Sequence, residues 1–208
     1  PDEGRPETLT SLNGGPGGTT YPNIPIPMGA FTQDFEYEEG HGELDECNGR
    51  LGVTPEFPEA IYYYMVTDDF PYFSRCLKGE FDNDKEIQLI GKTYEGNAGF
   101  HVITPFMMEN NKIVLINRGW VSEGYKDPKK RKFSLAEGQV KLKGVIRYPQ
   151  QKGYFVPEND GENGFCFTII PNQIFKFIKT NSNFVIKDYY IDALRLEEKI
   201  TLPIGLDG

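Results

Sequence analysis

Gly99-Phe100-His101-Val102-Ile103-Thr104-Pro105-Phe106, followed by Ile113-Val114-Leu115-Ile116-Asn117-Arg118-Gly119-Trp120-Val121, is the stretch that decides the fold. It reads as two apolar strands joined by a polar turn, Glu109-Asn110-Asn111-Lys112. The second strand ends in a polar-aromatic knot, Asn117-Arg118-Gly119-Trp120, which holds the chain's only tryptophan. Arg118 can bind a carboxylate through two parallel bonds or stack on Trp120. Asn117 and Gly119 suit a tight exit from the strand, where positive φ is common. Two roles stay open for this knot. It is an Arg-Trp clasp pinning the polar excursion 122–137, or it is a partner-binding hot spot, where Trp and Arg are enriched.

Outward from this hairpin, short apolar runs alternate with turns. Tyr72–Phe81 alternates over its first half as a half-buried strand does. Asp82-Asn83-Asp84 is a turn cluster, Lys85–Ile90 a second strand, and Gly91–Gly99 a loop. Beyond the excursion come strands at Val140–Tyr148, Tyr154–Pro157, Phe165–Ile169 and Phe184–Ala193. After Pro171 the apolar residues 174, 175, 177 and 178 lie on one helical face, and Asn172 could cap that helix. About seven short strands with one or two short helices predict a mainly β, α+β fold: an antiparallel sheet or partly closed barrel.

Residues 1–59 differ in composition. Gly14-Gly15-Pro16-Gly17-Gly18 and Tyr21-Pro22-Asn23-Ile24-Pro25-Ile26-Pro27 predict extended backbone, and Glu36–Glu46 is acidic. Residues 1–60 carry 12 acids against two bases, a balance of −10, whereas residues 61–208 carry 19 acids against 20 bases. The division expected from this is an extended acidic arm over 1–59 and a folded β-rich domain over 60–208. A net charge of −9 argues against nucleic-acid binding, since phosphate contacts supply most of that affinity. The Lys126–Lys132 run is a solvated loop or a contact for anionic lipid or an acidic partner. Without an apolar run of about 18–20 residues, the chain as it stands is expected to be soluble. Beginning at Pro1, it is expected to have a processed or truncated N-terminus.

The chain's chemistry is sparse. Cys47, Cys76 and Cys166 form no CxxC pair, and an odd count excludes full intrachain pairing. Cys76 and Cys166, in strand-like context, read as buried small hydrophobes. His41 lies in the acidic arm and reads as exposed; His101 starts a strand and reads as a hydrogen-bonded structural residue. No GxSxG, GxGxxG, GxxxxGK[ST] or HExxH signature is present, so neither an enzyme nor a metal site is expected.

At the hairpin residues the chain resembles the surfeit locus protein one family, the assembly factors of cytochrome c oxidase (called Shy in yeast). The resemblance rests on a G-[YF]-H-V-x-T-P-F strand, here Gly99–Phe106, and an N-R-G-W-V strand end, here Asn117–Val121. Gly79-Glu80-Phe81-Asp82 with Lys85-Glu86, Gly144-Val145-Ile146-Arg147, and Phe155-x-Pro157-x-Asn159 with Asn163 resemble further family blocks. The likeness covers about residues 60–192 and excludes 1–60. Where the family usually has Trp two positions after the second Asn, this chain has Phe165. The family's two flanking membrane helices fall outside this sequence, and the histidine proposed to bind haem in bacterial members has no counterpart here.

The resemblance implies the intermembrane-space domain of a mitochondrial inner-membrane protein, held there through helices outside this sequence or through partner subunits. Such a protein is a non-enzymatic assembly factor or bound accessory subunit of cytochrome c oxidase (respiratory complex IV). Its partner is then foremost the large catalytic subunit, into which it helps insert haem a. Asn117, Arg118, Gly119, Trp120 and His101 are the expected partner-binding or structural residues, with no cofactor inside this chain. The alternative is a small-ligand, haem-binding barrel lined by Phe100, Phe106, Phe155, Phe165 and Phe167.

Overall fold

The computed structural model describes residues 8–9, 24–25, 29, 34–109, 112–179, 185–194 and 203–205. The chain divides into two compact units, Pro1–Glu43 and Leu44–Gly208. In the first, β1 (Thr8–Leu9) pairs antiparallel with β2 (Ile24–Pro25); the rest of the Gly/Pro-rich stretches named above lies outside the described residues.

The second unit opens with a hairpin of β3 (Gly49–Thr54) and β4 (Phe57–Tyr64), paired only with each other. Then come β5 (Leu77–Phe81), β6 (Ile87–Tyr94), β7 (Asn97–Met108) and β8 (Lys112–Ser122). They are followed by β9 (Val140–Leu142), β10 (Gly144–Arg147), β11 (Phe165–Cys166), helix α1 (Pro171–Phe177) and β12 (Val185–Ala193). Strands β5–β12 form one curled, mixed sheet, a half-barrel, as the mainly β reading anticipates. It is not wholly antiparallel: β12 runs parallel to β8, and β11 parallel to β6.

The opening hairpin is the spine. β7 pairs with β8 along its length, with β6 through Ile103, and with β5 from Phe106 onward. Pro105 has no N–H to donate, and it sits where β6 gives way to β5, its carbonyl accepting from Asp82 N at 3.0 Å. The gap predicted as a loop at Gly91–Gly99 is mostly strand. Glu95 (φ 48°) and Gly96 (φ 80°) make a tight turn, and positive φ at both central residues matches strand twist.

The run 140–148 is two strands, not one. β9 pairs with β5 at one edge, and β10 pairs with β12 at the other, with Lys143 alone between them. Two residues of extended chain span about 7 Å, so the two edges must curl close together. Inside this curl lie Phe106, Met108, Val114, Ile116, Ile191 and Ala193. The opposite face carries Ile87, Leu89, Ile103, Ile113 and Leu115, covered by Ile169 and by Ile174 and Phe175 of α1. With both faces covered, β8 is buried from Ile113 to Val121, which explains its near-continuous apolar sequence.

Three element expectations shift. The Tyr72–Phe81 strand is ordered as strand only from Leu77, and no strand forms at Tyr154–Pro157, where Tyr154 and Phe155 are exposed. The helix starts two residues before the start that an Asn172 cap implies, with Pro171 in its first turn and Ile170 at the cap. The compact second unit also takes in residues 44–59, which composition groups with the arm. The reason is pairing: Lys78 bonds Asp45 at 2.7 Å, Lys141 pairs with Glu46, and Cys47 is disulfide-bonded to Cys76.

Candidate functional site

Strand β8 does not end at the Asn-Arg-Gly-Trp knot; it bulges there. His101 pairs with Trp120 and Ile103 with Asn117, so Arg118 and Gly119 together oppose Val102. The positive φ foreseen at this point falls on Gly119, at 104°. The bulge sends the three side chains of the knot, those of Asn117, Arg118 and Trp120, into three environments.

Asn117 looks toward β12 and β7. Its amide donates to Asp192 Oδ1 at 2.8 Å and lies 3.2 Å from His101 Nδ1, and its Oδ1 accepts from Gly119 N at 3.2 Å. Asp192 in turn accepts from Arg147 Nε at 2.9 Å. A polar chain, His101-Asn117-Asp192-Arg147, thus crosses strands β7, β8, β12 and β10. With the Asn117 amide donating, His101 Nδ1 is the acceptor and the proton sits on Nε2. Burial, helped by Lys92, lowers the His101 pKa to about 4, so the ring is neutral near pH 7.

Arg118 looks toward the β5–β6 junction. Its guanidinium lies 4.5 Å over the Phe81 ring, not on Trp120, and donates to Asn83 Oδ1 at 3.1 Å. Asn83 also donates to the Ala136 carbonyl at 2.9 Å. Beside it, fully buried Arg131 pairs with Glu86 and donates to the Tyr125 carbonyl at 3.1 Å. Burial raises the Glu86 pKa against the pull of Arg131 and Arg118, and burial lowers the Arg118 pKa to about 10. The excursion 122–137 is therefore pinned by Arg131 and by Asn83, which Arg118 also bonds. Sequence reading placed Arg131 in a basic run; Lys126, Lys129, Lys130 and Lys132 are exposed, but Arg131 points inward. A cation between neighbouring lysines gives no sign of this in one dimension.

Trp120 looks toward β6 and the C-terminal segment. Its ring lies 5.5 Å from Tyr94, and its indole N–H is buried with no partner among the described residues. Its backbone pairs both ways with Ile204, N to O at 2.9 Å and back at 2.8 Å. The knot is thus a junction for three parts of the fold.

The cysteines are the site that sequence reading missed. Cys76 is buried as expected, but in a disulfide with buried Cys47 across 29 residues; Cys166 is a buried free thiol whose pKa burial raises to about 12. Asp45 ties the loop around this bond. It accepts from Cys47 N at 2.9 Å, Gly49 N at 3.1 Å, Tyr62 hydroxyl at 2.7 Å and Lys78 Nζ at 2.7 Å. Burial opposes its ionisation, yet these donors hold the carboxyl below its usual pKa.

The five phenylalanines proposed to line a ligand cavity do not converge. Phe106 is packed inside the curl, Phe100 belongs to a separate cluster with Val102 and Val121, and Phe155 is exposed. Phe165 and Phe167 pack on each other at 5.8 Å. Among the described residues no three His, Cys, Asp or Glu side chains are placed to hold a metal. No described helix is long and apolar enough to cross a membrane.

A family model described as "YHYH protein" matches residues 8–79. The chain is also similar to a SURF1-like protein of Caenorhabditis elegans, 28% identical over 182 residues, covering 76% of this chain and 56% of that one. A SURF1-like protein of Monosiga brevicollis is 38% identical over 105 residues, covering 50% and 40%. Surfeit locus protein 1 of Mus musculus is 26% identical over 144 residues, covering 62% and 47%. The chain spans about half the length of the curated relatives it matches.

Proposed function

We propose that the chain, similar to SURF1-like proteins and surfeit locus protein 1 at 26% to 38% identity, is a divergent member of that family and a non-enzymatic assembly factor or bound accessory subunit of cytochrome c oxidase. It works at the mitochondrial inner membrane, on the intermembrane-space side, by protein-protein contacts, with the large catalytic subunit as its first partner. The observation that carries this reading is the β7–β8 hairpin. Its sequence blocks match the family's in order, and its polar residues are spent on joining parts of the fold. Asn117, Arg118 and His101 are each bonded within the chain, which supports a structural role for them.

Two observations speak against a haem among the described residues: the phenylalanines line no common cavity, and the Asn117 amide donating to His101 Nδ1 leaves the ring proton on Nε2, the nitrogen that would have to bind iron. The reading therefore assigns haem a to the partner, and this chain no cofactor. Affinity purification of the full-length protein from detergent-solubilised mitochondria tests the proposal. Oxidase subunits, nascent or assembled, are expected in the eluate; their absence from it sinks the reading.

A further inference from the structure

The β3–β4 hairpin stands outside the core. It pairs with no other strand, and none of its residues belongs to any of the three buried apolar clusters. Among the described residues its polar links to the half-barrel include Lys78 to Asp45 and, at 3.9 Å, to Glu46, the Tyr64 hydroxyl accepting from Lys78 N at 2.8 Å, and Lys141 to Glu46. The covalent one is Cys47–Cys76, which ties the chain two residues before the hairpin to the residue before β5. Both cysteines are buried, Cys47 completely.

We infer that Cys47 and Cys76 are a modification site, the substrate of a thiol-oxidising carrier, and that closing this bond docks the residue 44–76 module onto the half-barrel. In that step two S–H bonds break and one S–S bond forms. The two electrons and the two protons pass to a disulfide of the carrier, whose S–S bond breaks as it becomes a dithiol. Because both sulfurs are shielded once docked, the bond must close before the module settles, and small thiols reach it poorly afterwards. Such bonds persist in oxidising compartments and are rare where glutathione and thioredoxin keep thiols reduced. The chain is therefore folded and held in an oxidising compartment. This does not depend on the oxidase reading, and either can fail alone.

The test uses the full-length protein, taken from its native cells with thiols blocked at lysis by an alkylating maleimide. Tryptic digestion without reductant is expected to yield the peptide ending at Arg50 cross-linked to Cys76-Leu77-Lys78, and reduction first is expected to abolish it. Recovery of both cysteines as maleimide adducts overturns the modification site. Proteolysis then tests docking. Reduction under native conditions is expected to speed cleavage within residues 49–64 at least about tenfold, since local opening sets the rate. Cys47→Ser and Cys76→Ser are expected to match that increase, and their double variant not to exceed it. Unchanged cleavage of the reduced wild type overturns the docking role even if the variants fail to fold.

Discussion

At Gly119 a Cβ would lie 1.8 Å from the Ile204 carbonyl oxygen, on a backbone whose φ of 104° side chains rarely adopt. Gly119→Ala is therefore expected to cost about 2–4 kcal/mol, through strain and loss of the Ile204 pairing. Urea unfolding of the two proteins measures it. His101 sets a pH dependence. Its folded pKa of about 4 lies below the ordinary 6.5, so the unfolded chain takes up the proton first. The contribution is full above pH 6.5 and is lost as pH falls through about 4. His101→Gln is expected to flatten the stability profile in that window, read from denaturation midpoints between pH 4 and 7. Glu86 and Arg131 form a buried pair. Glu86→Ala, stranding the Arg131 cation, is expected to destabilise by about 3–5 kcal/mol. Replacing both by apolar residues of similar volume is expected to cost far less. Thermal melts of single and double variants separate these outcomes.

At the scale of elements, closure depends on one residue. Lys143 divides a single apolar run between two sheet edges, and its carbonyl accepts from Leu194 N at 3.0 Å. Among the described residues the β3–β4 hairpin has no comparable backbone tie to the sheet. Removing the Cys47–Cys76 bond, which closes a separation of 29 residues, is expected to cost about 3–4 kcal/mol by the chain-entropy relation. Denaturation of the Cys47→Ser/Cys76→Ser protein checks this. The elements themselves were legible where period and punctuation agreed. β7, β8, β12 and α1 lie where alternation, the polar turn and Pro171 predict them. Tyr154–Pro157 was misread because short aromatic runs look alike whether they pair or stand in solvent. The bulge was misread as a strand exit because both place a positive φ at Gly119.

At the scale of the molecule, the Leu44–Gly208 unit shares one sheet between two apolar faces. β8 contributes Val114 and Ile116 to one and Ile113 and Leu115 to the other. The faces should therefore unfold together. Trp120, the chain's only tryptophan, reports from one end of the sheet. Its fluorescence change in urea is expected to coincide with the far-ultraviolet circular dichroism change. A separated pair of midpoints would show that the faces melt independently.

By itself the sequence determined the class of fold and the central hairpin, because those depend on local alternation, turn chemistry and the order of short motifs. Only the tertiary structure decided what the motif residues do. It placed Arg118 on Phe81 and Asn83, joined Asn117 to Asp192 across 75 residues, set Trp120 against Ile204 and joined Cys47 to Cys76. Each of these partners is distant in the chain. Side-chain pairing at such separations follows from how the sheet curls and which edge each strand takes, and no local pattern of residues encodes that.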